Sequence, residues 1–569
     1  MIEGVKQQKW WGWGEEGQAY SAEGKPKFAP FVKKMTGIDI HAPVKPVPNF
    51  EDLDVPVSIL GDDLRGTLVG ILGEQYVQTD DETRVVHTFG KGVRDLMRVR
   101  RGDLGRVPDV VVYPADEAQV AGVMDAVVEA DGVVIPFGGG SNIVAALEAV
   151  PGESRAIVSV NLGRLNKVLE IDEQSGLARI QAGVFGPDME EQLQARGWTM
   201  GHHPDSFVWS TLGGWIATRS SGMQSDKYGD IADITRGLRM VMPGQILELR
   251  PLPSTSSGPS VREMVLGSEG RLGIITEAWV NVHRIPEVRE IQAYFFPDYY
   301  AGLRACEQVV HDGVGVMMAR VSDAIETQYI MANGKESKSK VSKLANAGVK
   351  KLMEAKKWDL GQIAMSFIGF EGTANDVRYK KGLVAKIVKQ HGGFGVGSGP
   401  GALYDQKKYD TPYLRDFMLD RGLVCDVSET TAPWKYAEAL HRKTTKAFND
   451  AMEEIGKIGV VFCHISHSYH SGACQYFTFV VNDDSETAEH SYDVAKRAIQ
   501  QSFVDHHATV SHHHGVGEEH SPWMAEDISP AGVFIQRKLF DGVDPGGNLN
   551  PGKIVHDGEP GISSNSPDA

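Results

Sequence analysis

Two hydrophobic periods alternate along this chain. Short apolar runs bounded by Pro or Gly, Val110-Val111-Val112-Tyr113 before Pro114 and Gly132-Val133-Val134-Ile135 before Pro136, read as buried strands. Between them, residues 117–130 carry apolar side chains at helical spacing. Strands are predicted at 156–160, 168–171 and 178–181, and a helix at 187–196. Further on, the pattern predicts helices over 301–311 and 374–390 and strands over 363–369 and 476–481. Strands and helices mix without the strict alternation of a βαβ array, so the fold class is α+β.

Changes of texture set the expected domain limits. Residues 1–103 read as a helical lead-in, cut into extended pieces by Pro43, Pro46, Pro48 and Pro56, with short helices at 63–72 and 93–99. Trp10, Trp11 and Trp13, set among charges, are expected to dock this lead-in on the main body. A ligand-binding domain is expected over 104–285, a substrate domain over 286–500 and a C-terminal segment over 501–569. The stretch 335–358 places Lys335, Lys338, Lys340, Lys343, Lys350, Lys351, Lys356 and Lys357 around a thin apolar line of Val341, Leu344, Val349 and Leu352. Such a basic amphipathic helix either lies on a membrane surface or packs its apolar side on the protein.

Composition narrows the partners. The 569 residues are 41% hydrophobic and 23% charged, enough for several domains and a sizeable core. A net charge of −17 disfavours nucleic acid, which needs a basic face. Cys306, Cys425, Cys463 and Cys474 form no CxxC pair, so a reducing, cytoplasmic setting is expected. No run reaches the ~18–20 apolar residues of a spanning helix. The N-terminus lacks an apolar signal segment, and Asn565-Ser566-Pro567-Asp568-Ala569 carries no peroxisomal address.

Three glycine turns beside strands carry the chemistry. Pro136-Phe137-Gly138-Gly139-Gly140-Ser141-Asn142 removes three successive Cβ atoms, so backbone N–H groups can form an anion-binding nest. Residues 204–222 are dense in small and hydroxyl side chains around Gly213-Gly214, and Gly267-Ser268-Glu269-Gly270 leads into an apolar strand. Three such turns suit one long ligand, a dinucleotide. The Rossmann pattern GxGxxG has only Gly397-Ser398-Gly399-Pro400-Gly401-Ala402 to match it, read here as a loop with Pro inside and no clear strand before it. No Walker loop occurs, so NAD and ATP are disfavoured.

These motifs resemble the vanillyl-alcohol oxidase superfamily of flavoproteins, with its PCMH-type FAD-binding domain, and within it the alkyldihydroxyacetonephosphate synthases. The superfamily likeness rests on residues 136–142, 205–211 and 269–275. The synthase likeness rests on Gly201-His202-His203-Pro204-Asp205-Ser206, Glu429-Thr430-Thr431-Ala432-Pro433-Trp434, Gly472-Ala473-Cys474-Gln475-Tyr476-Phe477 and His512-His513-His514-Gly515-Val516-Gly517. It runs from about Trp10 to about Pro551. The chain departs from the synthases at Glu518, where they commonly carry Lys, and at Asn142 and Arg271, where they tend to have smaller residues.

The resemblance implies a two-subdomain FAD-binding domain, a substrate or cap domain with an antiparallel sheet flanked by helices, and a C-terminal segment that returns to the FAD domain. It implies that Pro136, Phe137, Gly138, Gly139, Gly140, Ser141 and Asn142 wrap the pyrophosphate. Asp205, Ser206, Thr211, Gly213, Gly214, Thr218, Arg219, Ser220 and Ser221 would lie along the flavin and ribityl chain. Glu269, Leu272, Gly273, Ile274 and Ile275 would support the adenine half. FAD is expected to be dissociable. Tyr476, His512, His513, His514 and His202 are implied in catalysis, Arg415 and Arg320 in binding the substrate anion.

The residue types suit those roles. A guanidinium grips phosphate or carboxylate bidentately; for Arg415 the bland alternative is an ion pair with Asp416 or Asp420. A phenol with pKa near 10 takes a proton only where a cation or hydrogen bonds stabilise phenolate, and the neighbouring histidines are suited to that. Consecutive histidines on a strand point to opposite faces, a poor tetrahedral set, so no metal is expected. Cys463, His464, His467 and His470 read as a surface turn. The implied reaction exchanges the acyl group of an acyl-dihydroxyacetone phosphate for a fatty alcohol, with flavin as electron sink and no net redox. Two alternatives stay open: an FAD oxidoreductase acting on a 2-hydroxy acid or similar alcohol, and a non-catalytic flavin- or lipid-binding protein. A homodimer in the cytoplasm, with peripheral membrane contact, is expected.

Overall fold

The computed structural model describes residue 2 and residues 4–44, 46–335 and 340–555, with backbone alone for 340–346. Three sheets carry the architecture. The first has the order Val77–Gln78, Val110–Val112, Ile157–Asn161, Val133–Phe137, parallel except at its short first strand. Helix Glu117–Glu129 covers it, capped by Asp116, with Val120, Val123, Met124 and Val127 buried against Val110, Val112 and Val134. The second is antiparallel, in the order Val168–Asp172, Leu177–Gln181, Ile274–Asn281, Thr235–Met242, Gln245–Leu249. Together they form the two lobes of the expected nucleotide-binding unit.

The third sheet is a seven-stranded antiparallel layer in the order Phe394–Gly397, Val288–Phe296, Ala364–Gly372, Met318–Ser322, Gly459–Ser468, Gly472–Asn482, Leu423–Pro433. Period-two alternation divides its two faces. In Val288–Phe296, Tyr294 and Phe296 join the core under helices Tyr299–His311 and Ala374–Gln390, whereas Ile291, Ala293 and Phe295 join the core on the opposite face. Helices Trp434–Glu454 and Ala488–Asp505 complete the outer layer. The inner face looks toward the two-lobed unit, and the site lies between them.

The chain ends knit the parts together. Trp10 and Trp13 are buried, so the lead-in docks as expected. After helix Ser529–Val543 the chain returns to the first sheet, where Leu549 pairs beside Val134: Val134 N donates to Asn548 O at 2.8 Å and Asn550 N to Val134 O at 3.0 Å. Helix Ala488–Asp505 runs across the limit expected at residue 500.

Two local expectations are corrected. Gly397–Ala402 is not a loop: strand Phe394–Gly397 precedes it, and Pro400 sits in the first turn of helix Gly399–Lys407, where its missing N–H costs nothing. Cys463, His464 and His467 lie buried on the central strand Gly459–Ser468; only His470 is in the exposed turn. Of the basic stretch 335–358, residues 336–339 and the side chains of 340–346 lie outside the described residues. The helix there is Lys340–Ala355; Met353 is buried and Val349 half-buried against the inner core, while Lys350, Lys351 and Leu352 face outward. Among the described residues no helix is long and apolar enough to cross a membrane.

Candidate active site

One cavity of about 1550 Å³ runs from the glycine loop to the inner face of the large sheet. At its first end, residues 136–142 and 205–211 pack backbone to backbone. A Cβ on Gly139 would strike the Trp209 carbonyl, and one on Gly138 the Thr211 hydroxyl. The loop is fastened from outside: Gln8 Nε2 donates to Gly139 O at 2.8 Å, Lys91 N to Asn142 O at 2.6 Å, and Asn142 Oδ1 accepts from Ala146 N at 3.0 Å. Asn142 Nδ2 is buried with no hydrogen-bond partner among the described residues.

Most of the implied cofactor residues line this cavity: Pro136 to Asn142, Asp205, Ser206, Thr211, Gly213, Gly214, Thr218, Ser220, Ser221, Glu269, Gly273 and Ile275. Three side chains lie elsewhere and are corrected. Arg219 is half-exposed and pairs with Glu263 at 3.1 Å. Leu272 and Ile274 are buried in the cores of the two lobes. The Glu269 carboxylate accepts from Val516 N at 2.6 Å and Gly517 N at 2.7 Å, so it clasps the C-terminal loop.

At the sheet, Val460, Phe462, His464 and Ser466 from one strand and Tyr476, Thr478 and Val480 from its neighbour face the cavity, every second residue of each. A register shift between Ile465 and His467 adds His467 to that face. The Tyr476 ring is sandwiched: His464 lies on one side at 4.9 Å and 22°, His513 at 5.9 Å and 17°, with His514 edge-on at 5.6 Å. Burial, with Asp205, Glu429 and Asp426 near, pushes the Tyr476 phenol well above its ordinary pKa. Burial holds the His513 imidazole well below its own, and His514 at about 4. The expected phenolate support is therefore replaced by a protonated phenol among neutral imidazoles.

The three histidines sit on an irregular turn, not a strand. What holds the turn is Glu429, which accepts from Ser511 Oγ at 2.9 Å and from the backbone N–H groups of His512, His513 and His514 at 2.7, 3.1 and 3.0 Å. Burial alone would raise the Glu429 carboxyl; the adjoining histidines and these N–H groups outweigh it and hold it well below the carboxylate range. His513 and His514 line the cavity, whereas His512 turns to Tyr469 and to Asp230, 3.8 Å away. His202 also stands behind the wall, its Nε2 at 2.8 Å from Ser220 Oγ and its pKa lowered to about 3 by burial.

The two arginines differ. Arg320 Nη2 is committed to Glu326 at 2.7 Å and to His464 Nδ1 at 3.1 Å, while its Nε is buried with no hydrogen-bond partner among the described residues. Arg415, on helix Thr411–Leu419, donates Nη1 to Lys91 O and has only a 3.5 Å contact with Asp416 Oδ1. Its Nε and Nη2 are buried in the cavity wall with no hydrogen-bond partner among the described residues. Asp420 pairs with Arg100 instead. Beyond Arg415 the cavity continues as an apolar arm between Phe31, Val32 and Met35 of helix Phe28–Thr36 and Tyr329, Met418 and Phe462.

Residues 108–250 match the family described as FAD binding domain, and residues 285–554 that of FAD linked oxidases, C-terminal domain. The chain is similar to the alkyldihydroxyacetonephosphate synthase of Dictyostelium discoideum, 40% identical over 480 residues that cover 84% of this chain and 78% of that one. It is 34% identical to the synthase of Trypanosoma brucei brucei, over 96% of this chain and 92% of that one. The chain belongs to the alkyldihydroxyacetonephosphate synthase family. A solved synthase structure overlays it with TM-score 0.84 at 33% identity, covering 97% of this chain and 99% of the other.

The residues present fit FAD. The glycine cradle leaves backbone donors open to a pyrophosphate, Asn142 Nδ2 awaits an acceptor, and the volume exceeds that of an ordinary ligand pocket. Glu518, one of the departures from the resemblance, stands 3.4 Å from the fully buried Lys553. His464, His467, Glu326 and Glu429 are site residues that sequence reasoning did not select. The signal for His464 was alternation, since it shares its phase with Val460 and Phe462.

Proposed function

We propose that this protein is an FAD-dependent alkyl transferase that exchanges the acyl group of an acyl-dihydroxyacetone phosphate for a fatty alcohol. One observation carries the reading: a single cavity joins a dinucleotide cradle to an apolar arm, and where the two meet stand a phenol among neutral histidines and a buried arginine whose Nε and Nη2 have no hydrogen-bond partner among the described residues. Bound without a covalent link, FAD supplies an electron sink for the reacting carbon. Arg415 binds the phosphate through its open Nε and Nη2 edge. The Tyr476 hydroxyl exchanges a proton beside the carbonyl, and His513 or His514, held neutral, takes or returns it. Arg320, fixed by Glu326, keeps His464 against the phenol. The apolar arm holds the chain of acyl group or alcohol and excludes water.

The finer parts of the reading have their own support. Peripheral membrane contact near helix Lys340–Ala355 is favoured by exposed Lys350 and Lys351, Lys350 standing with Val349 and Met353 at the cavity wall. A homodimer is favoured by Phe534 and Ile535, adjacent and exposed on the C-terminal helix. A cytoplasmic setting is favoured by four unbridged cysteines.

The test is anaerobic mixing of the FAD-loaded protein with acyl-dihydroxyacetone phosphate plus fatty alcohol, and separately with 2-hydroxy acids. Formation of the alkyl product with flavin oxidised at the end is expected. Lasting bleaching by a hydroxy acid, with no alkyl product, would establish the oxidoreductase reading instead.

A further inference from the structure

The histidine turn has two neighbours that the reaction does not use. His467 and Cys474 are paired across strands Gly459–Ser468 and Gly472–Asn482, just past the register shift. One ligand atom from each of His467, Cys474, His512 and His513 lies within 4.8 Å of the other three. A thiolate with three imidazoles is a donor set that zinc takes in tetrahedral geometry. On a strand the consecutive histidines would diverge; on the turn held by Glu429 two of them converge on the cysteine.

Three further features suit a cation. His512 Nδ1 and His513 Nδ1 are 2.8 Å apart. Two imidazole lone pairs cannot face one another, so this gap holds either a shared proton or a positive ion. The far nitrogens of His467 and His512 are already engaged, as ligating histidines require. His467 Nε2 donates to Gly222 O at 2.9 Å, which leaves Nδ1 as its lone-pair nitrogen, where an ion would displace the Ser466 hydroxyl now 2.8 Å away; His512 Nε2 is turned to Tyr469 and Asp230. His467 is buried and His513 half-buried. Both line the cavity, which gives an ion its entry path.

We propose that His467, Cys474, His512 and His513 form a site for one thiophilic divalent cation, zinc being the probe, and that filling it stops the reaction. Binding makes one Zn–S and three Zn–N bonds and releases the thiol proton to solvent; nothing is oxidised or reduced. The inhibitory half rests on the function proposed above, because the ion takes His513 out of proton exchange. The binding half stands without it.

The experiment uses FAD-loaded full-length protein, stripped with chelator and then given zinc or cobalt. Wild type is expected to retain about one zinc after desalting. With cobalt it should show the strong d–d bands of a tetrahedral ion, at wavelengths longer than oxidised flavin absorbs. Cys474→Ser is expected to keep FAD and turnover in chelator, to bind zinc at least about tenfold more weakly, and to resist inhibition. His467→Ala, read by binding alone, should also lose the cobalt bands. No retained zinc, a weak octahedral cobalt spectrum, or both variants binding as wild type would overturn the site. Stoichiometric zinc with undiminished turnover would overturn the switch. A protein without alkyl exchange under any condition would defeat the proposed function, while the zinc and cobalt readings still decide the site.

Discussion

The Tyr476 ring lies 4.9 Å from that of His464 with the planes 22° apart, the two residues being register partners on adjacent strands. The backbone ladder thus fixes the phenol, and its hydroxyl group is the one part free to react. Tyr476→Phe keeps the stack and removes the hydroxyl. Turnover is expected to fall by ~10²–10⁴-fold, the usual contribution of an acid–base group, with FAD content unchanged. Because the phenol is pushed well above its ordinary range, the wild-type rate should show no tyrosine titration near neutral pH. A Phe variant with near-normal turnover would move the proton transfer to another group, His513 first.

Glu429 is the keystone of the histidine turn, with four donors from residues 511–514 on one buried carboxylate. Hydrogen bonds to a charged group contribute about 1.5–3 kcal/mol each. Glu429→Gln retains the volume but turns an amide N–H₂ toward N–H donors. Faster amide exchange over 511–517 and a loss of turnover are expected together. Wild-type exchange in that segment would show that the turn holds itself.

Arg415 presents Nε and Nη2 to the cavity wall with no hydrogen-bond partner among the described residues, Nη2 lying 3.5 Å from Asp416 Oδ1. If it binds the substrate phosphate, Arg415→Ala should weaken substrate binding by roughly 2–5 kcal/mol. Arg415→Lys should restore little of it, since the two-pronged geometry is lost. Undiminished substrate affinity in the Ala variant would leave Arg415 as a structural partner of Asp416.

The legible part of this molecule was its regular part. Helices 117–130 and 374–390 and the strand before the glycine loop are each found within a residue or two of their expected limits, because propensity and burial period agree there. What the chain pattern did not disclose depends on pairing. His464 and His467 lie in a strand with four polar residues in its last half, a composition that imitates a turn. Only the ladder to Gly472–Asn482 makes it central. Glu429 was visible within a motif, but its partners are more than 80 residues away. Strand 394–397 is short and Gly-rich, so nothing local distinguished it from loop.

Attachment of the cofactor can be checked directly. Glycines 138–140 would hold FAD by backbone donors, and no His or Cys occurs in residues 136–142. Acid precipitation should release the yellow chromophore to the supernatant. Flavin that stays with the pellet would mean a covalent bond, with the cavity-lining histidines as the candidates.

The last prediction concerns His87, which supports the glycine loop from behind. Its ring lies 4.1 Å from that of Phe137, and both ring nitrogens are committed: Nδ1 donates to Thr83 O at 2.7 Å and Nε2 accepts from Asn161 Nδ2 at 2.9 Å. A second ring proton would meet the Asn161 amide, and burial lowers the pKa from 6.5 to about 4. The sign follows from the direction of that shift. Above pH 6.5 His87 is neutral whether the chain is folded or not, and its native bonds contribute in full. Between 6.5 and about 4 the unfolded chain takes up the proton first, so the folded state loses stability as pH falls. At about 1.4 kcal/mol per unit, the loss amounts to about 3 kcal/mol. Other buried histidines add to the acid sensitivity of the whole protein, so the informative quantity is a difference. His87→Gln can still donate to Thr83 O and accept from Asn161 without titrating. Melting temperatures of the FAD-loaded wild type and variant should converge, or cross, as pH is lowered from 7 to 4. Parallel curves over that range would show that His87 stays protonation-silent and that the acid lability of the loop has another source.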